Sequence, residues 1–289
     1  MKKVLMLLVC TLSVGLFHSC SEDLGESGIE IPEFNLKDLT PTDLYIYKNY
    51  TKPYNVEVIY RWKDSETDVA KNLVPPEEEK VEPFLEILKT VWVDPYVEEA
   101  GSNFLKGLIP KQILLIGSAS YNPDETVTQG TAEGGRKMVL YEINSFSPQN
   151  VTKLKRFIHV MHHEFAHIMH QQVAYSRDYR TITTGYSSSW YLRSNEYAQE
   201  RGFITNYAMS APDEDFVEMI ATMLTNNKRD WDIMINTIKS EDARSALRKK
   251  EAIVVGYLKD VWDIDLYHFQ AKLDEGEGNT LKDSSGNGR

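Results

Sequence analysis

The sequence predicts an α+β protein, with a small mixed sheet and helices in its N-terminal part and a mainly helical C-terminal half. Three observations carry this. The β-rich stretches all fall before about residue 143, broad apolar stripes at helical spacing follow from residue 151, and no internal repeat intervenes. At 289 residues, 42% of them hydrophobic, the chain is long enough to bury an ordinary core.

Met1-Lys2-Lys3, followed by the apolar run Val4 to Phe17, has signal-peptide length and is too short for a convincing membrane span. The run ends at Leu16-Phe17-His18-Ser19-Cys20, which resembles a bacterial lipobox, although Phe17 and His18 depart from the commonest pattern. Residues 1–19 are therefore expected to be a lipoprotein signal peptide and Cys20 the lipidated first residue of the mature chain. Ser21-Glu22-Asp23 resembles the acidic export signal of surface lipoproteins in Bacteroidetes. The expectation is a cell-envelope protein on the outer membrane, surface-exposed and held there by its lipid anchor only. Cys10 leaves with the signal, so no disulfide is available and the fold depends on its core, a metal, or both. Loss of Lys2 and Lys3, with no acid in the same stretch, takes the formal charge from −11 to −13. That disfavours nucleic acid and anionic lipid as partners.

Residues 20–40 read as a flexible tether broken by Pro32 and Pro41. Asn55 to Trp62 alternates apolar and polar residues and is a strand candidate. Val81 to Val93 has helical spacing behind an acidic first turn. Gln112 to Ser118 and Lys137 to Ile143 are two further strands, separated by a polar loop. The second leads into the histidine-rich helix and is the expected sheet edge for an extended peptide. Gly134 and Gly135 would let the loop before it move. Ser147-Pro148 can cap and start a helix, and the chain then reads as helical to residue 273. Residues 41–273 are expected to form one domain. Residues 274–289, with Leu281 their only apolar residue, read as disordered.

Five of the seven histidines lie in HVMHHEFAHIMHQ, His159 to Gln171. Val151, Leu154, Phe157, Ile158, Met161, Phe165, Ile168 and Met169 form the apolar stripe of a buried helix. On it, His163 and His167 are four apart, one turn above each other, as two ligands of one zinc require. With Glu164 they make an HExxH motif, in which the glutamate is the general base beside a metal-bound water. His159 could make a third rung, but three rungs on one straight helix cannot close on one small ion, so it reads as structural. His162 and His170 point to other faces and read as solvent, orienting or substrate-side groups.

The third ligand is not within the motif, because His170 and Val173 stand where HExxHxxGxxH needs glycine and histidine. A later helix can supply a glutamate, with a second acid four residues on to orient a histidine. Glu196 with Glu200 and Glu214 with Glu218 both satisfy this spacing. The second pair is better supported, since Pro212 starts a helix whose Phe216, Met219, Ile220 and Met223 would pack inward. Glu196, Asp213, Asp215 and Glu218 stay open as alternatives to Glu214.

HEFAH, followed by Gly202 to Ala208 and by Glu214-Asp215-Phe216-Val217-Glu218, resembles the zinc metallohydrolase lipoproteins of Bacteroidetes that are associated with substrate import. The likeness covers most of the mature chain, including Thr51 to Trp62. Over about residues 150 to 225 the chain is also similar to the catalytic domain of anthrax lethal factor, a gluzincin. Val217 stands where related motifs often have alanine. The resemblance implies a zincin-like metallopeptidase fold with zinc held by His163, His167 and Glu214. It implies Glu164 as base, Glu218 as the orienting acid, and Tyr207 as a donor to the oxyanion.

The function expected is a gluzincin-like zinc metallopeptidase on a surface lipoprotein, acting on a peptide or protein beside an outer-membrane nutrient importer. The alternative is a noncatalytic accessory that binds peptide or glycan. Another zinc hydrolase is a third reading. A purely structural zinc site is disfavoured, because such sites are closed by four ligands, commonly cysteine. The loop Ala174 to Leu192, rich in Tyr and Ser, either lines a substrate cleft or packs its aromatics down.

Overall fold

The computed structural model describes residues 35–286. The signal peptide, Cys20 and most of the tether lie outside the described residues. From Leu39 onward the chain forms one unit; of the preceding unit, the described part is a short 3-10 turn at Leu36–Asp38.

The first helix, α1 (Pro41–Ile46), starts on a Thr40 cap that accepts from the Asp43 amide and runs on through a wider turn, Tyr47–Thr51. Strand β1 (Glu57–Ile59) follows, then α2 (Glu78–Leu88), α3 (Asp94–Ala100) and α4 (Ser102–Leu108). Next come β2 (Gln112–Leu115), a hairpin of β3 (Ser120–Tyr121) and β4 (Val127–Thr128), then β5 (Gly130–Glu133) and β6 (Lys137–Leu140). The four-stranded sheet has the order β1-β2-β6-β5, parallel except where β5 runs antiparallel to β6. Each strand is shorter than the β-rich run that predicted it, because pairing ends where the partner strands end.

Strand order corrects one expectation. β6, expected at the edge, is hydrogen-bonded on both sides, to β2 and to β5. β5 ends the sheet instead. Gly134 and Gly135 form the tight β5–β6 turn at φ +56° and +67°, closed by the Arg136 amide on the Glu133 carbonyl at 3.1 Å. They build a hairpin, in place of the mobile loop expected from their composition.

The long helix α5 (Val151–Gln172) begins three residues beyond Pro148, where the Asn150 side chain accepts from the Lys153 amide at 3.0 Å. Its Leu154, Ile158, Met161, Phe165, Ile168 and Met169 are buried, as their spacing requires, while Phe157 is partly buried and Val151, in the first turn, is exposed. Phe165 packs edge-on to Trp92 and Tyr96, at 5.4 and 4.8 Å between ring centroids, which ties α5 to the α2–α3 region. Helix α6 (Pro212–Leu224), with proline in its first turn and three acids there, packs along α5. Then come α7 (Lys228–Thr237), α8 (Glu241–Trp262) and α9 (Leu266–Gly286). The helix α9 continues past residue 274, where the sequence suggested a disordered tail. Phe269 and Leu273 are buried and start it, and each added residue then needs to fix little new chain.

Candidate metal centre

Three donor atoms converge between α5 and α6. Glu214 Oε2 lies 3.2 Å from Nε2 of His163 and 3.2 Å from Nε2 of His167, and one ligand atom from each residue lies within 4.8 Å of the others. The i, i+4 spacing sets the two imidazoles edge-to-face with ring centroids 4.9 Å apart, and Glu214 reaches across from the first turn of α6.

The opposite nitrogens are also fixed. His163 Nδ1 is 2.8 Å from Glu218 Oε1, and His167 Nδ1 is 3.1 Å from His170 Nε2. With Nδ1 turned toward an acceptor, Nε2 of each ring is the atom that faces the common point and would give its lone pair to a metal there. Two oriented imidazoles and a carboxylate are the donor set that zinc takes in catalytic sites, so the residues present fit a zinc ion.

A second cluster, His159, His163 and Glu218, also lies within 4.8 Å. Its carboxylate is already engaged: Glu218 Oε1 takes His159 Nε2 at 2.9 Å as well as His163, and Oε2 accepts the Thr205 hydroxyl at 2.6 Å. Glu218 is thus a buried acceptor for three donors, which matches the orienting position expected from its spacing to Glu214.

Electrostatics follow from this crowding. Burial alone would push His163 down, but the Glu214 and Glu218 carboxylates carry its pKa up to about 10. Burial would raise Glu214, yet the hydrogen bonds from His163 and His167 hold it below the usual carboxylate range. Glu164 moves the other way, raised chiefly by burial and opposed by His163 and His167. Tyr207 packs its ring 5.7 Å from that of His163; burial and then Glu214 raise the phenol, which keeps its proton.

The remaining candidates separate cleanly. Glu196 is exposed on a short helix and belongs to neither group of converging donors, and Glu200 accepts the Lys239 and Ser240 amides at 2.8 Å each, so it serves the α8 start. Asp213 pairs with Arg180 at 2.8 Å. Asp215 is fully buried against Lys250 Nζ at 2.5 Å. His159 bonds Glu218, while His162 is buried 3.2 Å from the Tyr96 hydroxyl, and burial drives it down to about 3. The 174–192 loop mostly packs its aromatics down: Tyr175 stacks on Phe216 at 4.0 Å, and the Tyr179 hydroxyl donates to the Asp215 carbonyl. Trp190, at its end, faces a cleft of about 360 Å³ that opens on His163, Glu164 and Tyr207.

Two contributors, Thr205 and Gly130, had no sequence signal strong enough to find them, and for His170 the orienting role was one of three readings the sequence left open. Thr205 completes the Glu218 site through a hydroxyl in a loop. His170 was one of several faces a histidine could take. Gly130 opens β5 so close to α5 that a Cβ there would meet Val160 Cγ1 at 2.7 Å and Glu164 Oε1 at 3.3 Å; only a contact map reveals that need.

The family model described as "Putative zinc-binding metallo-peptidase" matches residues 36–267. A crystal structure from Bacteroides caccae ATCC 43185, carrying the same description, is 34% identical. The alignment covers 86% of this chain and 96% of that one, with a TM-score of 0.70. No curated protein matches. With the α+β architecture, the converging histidines and glutamate, and a family match over most of its length, the chain belongs to this zinc-binding metallopeptidase family.

Proposed function

We propose that the protein hydrolyses peptide bonds, with His163, His167 and Glu214 holding zinc and Glu164 as general base. The observation that carries this is the convergence of those three donors beside a buried glutamate at the end of an open cleft. Zinc, when bound, supplies a Lewis acid and lowers the pKa of a coordinated water toward neutrality.

The chain's own groups do the rest. Glu164 is next to His163 on the helix and belongs to neither group of converging donors, so its carboxylate is left to accept a proton from the attacking water and deliver it to the leaving amine. Tyr207 retains its hydroxyl proton and donates a hydrogen bond to the developing oxyanion. Glu218, fixed by His159 and Thr205, holds His163 in one tautomer. The free edge of β5, against the Glu164 turn of α5, offers backbone groups to an extended peptide. The lipobox-like run at Cys20 supports a lipid-anchored enzyme at the outer surface of the cell envelope, working beside a nutrient importer.

The test is zinc content and cleavage of a mixed peptide library, read by mass spectrometry, for the protein and its Glu164→Gln variant. One zinc per chain in both, with hydrolysis reduced about 10²–10⁴-fold in the variant, is expected. Zinc in both proteins and peptide binding without cleavage in either would replace this reading with the accessory binder.

A further inference from the structure

The walls of the cleft come from two separate parts of the chain. The β3–β4 hairpin and the residues entering β5 present Asn122, Thr126, Thr128 and Gln129; the facing segment presents Trp190, Asn195 and Asn206. Among the described residues lining it, the only acids are Glu164 and Glu218 of the metal centre, and there is no lysine or arginine. Away from the metal centre, where His159, His163, Glu164 and Glu218 lie, the lining is neutral, in a chain of which 26% is charged.

Hydrogen bonding divides the wall into a scaffold and a reading surface. Asn122 is scaffold: its Nδ2 donates to the Thr126 and Thr128 hydroxyls at 2.9 and 3.1 Å, and its Oδ1 accepts from Lys71 Nζ at 2.6 Å. The nearby cation is thereby engaged behind the wall. Gln129 and Asn195 differ. Asn195 Oδ1 accepts the Asn206 amide at 2.8 Å, but its Nδ2 and the whole Gln129 side-chain amide have no partner among the described residues. Between them stands an aromatic corner, Trp190 edge-on to Tyr207 with centroids 4.8 Å apart.

We infer that this cleft selects uncharged, hydroxyl- or amide-bearing groups on the substrate. The inference rests on the peptidase reading and assigns its substrate class. A neutral polar group meets amides that can both donate and accept, while its apolar face meets the Trp190–Tyr207 corner. Against the Gln129 and Asn195 walls, away from the metal centre, a lysine, arginine, aspartate or glutamate side chain would lose hydration without meeting a counter-charge. The same chemistry is carried by Ser, Thr, Asn and Gln side chains and by an N-acetylated sugar on Ser or Thr.

The experiment compares three peptide sets that differ at one position: neutral polar residues, the same serine and threonine peptides bearing N-acetylhexosamine, and charged residues. Cleavage of one or both neutral sets at kcat/KM about tenfold or more above the charged set is expected, equivalent to about 1.4 kcal/mol. Whichever neutral set leads identifies the source. The Asn195→Asp variant should shift the ranking about tenfold toward Lys and Arg peptides, and Gln129→Lys toward Asp and Glu peptides. Equal cleavage of charged and neutral peptides, or an unmoved ranking in both variants, overturns the inference. Binding of the same sets to the Glu164→Gln variant separates the two claims. If nothing is cleaved but neutral peptides bind about tenfold tighter, the peptidase reading fails and the selectivity stands; if binding also shows no preference, the selectivity falls.

Discussion

Nδ1 of His167 lies 3.1 Å from Nε2 of His170, one turn further along the same helix. His163 leans on a carboxylate, whereas His167 leans on a second imidazole, which burial and then His167 keep at a lowered pKa and therefore neutral. The two ligands of one site thus have unequal support.

Replacing His170 by alanine is expected to weaken zinc binding about 10–100-fold, measured by chelator competition. The apo-protein melting temperature should move little, and His170→Asn, which restores an acceptor, should recover part of the affinity. Unchanged affinity in the alanine variant would show that this contact does not orient His167.

Gly130 separates the edge strand from the catalytic helix, and a methyl group there must displace Val160 or Glu164. Gly130→Ala should therefore lower kcat/KM by about 10–100-fold, because small displacements of a catalytic group are costly. Stability should fall by about 1–3 kcal/mol. Kinetics and denaturant melts on the zinc-loaded variant check both.

Lys250 and Asp215 are both fully buried, and the ammonium also donates to the Gly202 carbonyl at 2.7 Å. Lys250→Met leaves a buried carboxylate without its partner and should cost about 3–5 kcal/mol in urea melts. Adding Asp215→Asn should recover a large part of that loss. Additive losses in the double variant would mean the two residues do not act as a pair.

Asp43 is held at about 2, first by its hydrogen bond from Arg61 and against a smaller burial effect. Its folded pKa lies below the unfolded value of about 3.9, so the stabilisation is present above that value and is lost as pH falls toward 2. The melting-temperature gap between the protein and Asp43→Asn should be steady above about pH 5 and close by pH 2. Since Arg61 is half exposed, the gap should be small and shrink with salt.

Much of the centre was legible because helices carry their own geometry. A period of 3.6 residues places His163 above His167 and Glu214 above Glu218 without any knowledge of the rest of the chain. Choosing Glu214 over Glu196 needed the apolar face of α6, which is also local. Strand position is different: whether β6 or β5 ends the sheet depends on pairing partners far apart in sequence, and no local pattern in Lys137 to Leu140 reports it. The cleft walls were invisible for the same reason, since Gln129 and Asn195 come to line one cleft only after the sheet and the helices pack.

The Lys250–Asp215 pair also makes the start of α6 depend on a residue far downstream in the chain. His163, His167 and Glu214 leave the ribosome before the lysine that anchors Asp215, the residue next to Glu214. A chain cut short before α8 carries every ligand yet lacks the counter-ion that seats the start of α6. On the peptidase reading, a product truncated before α8 is expected to be a poor hydrolase, although it holds all three metal-site residues.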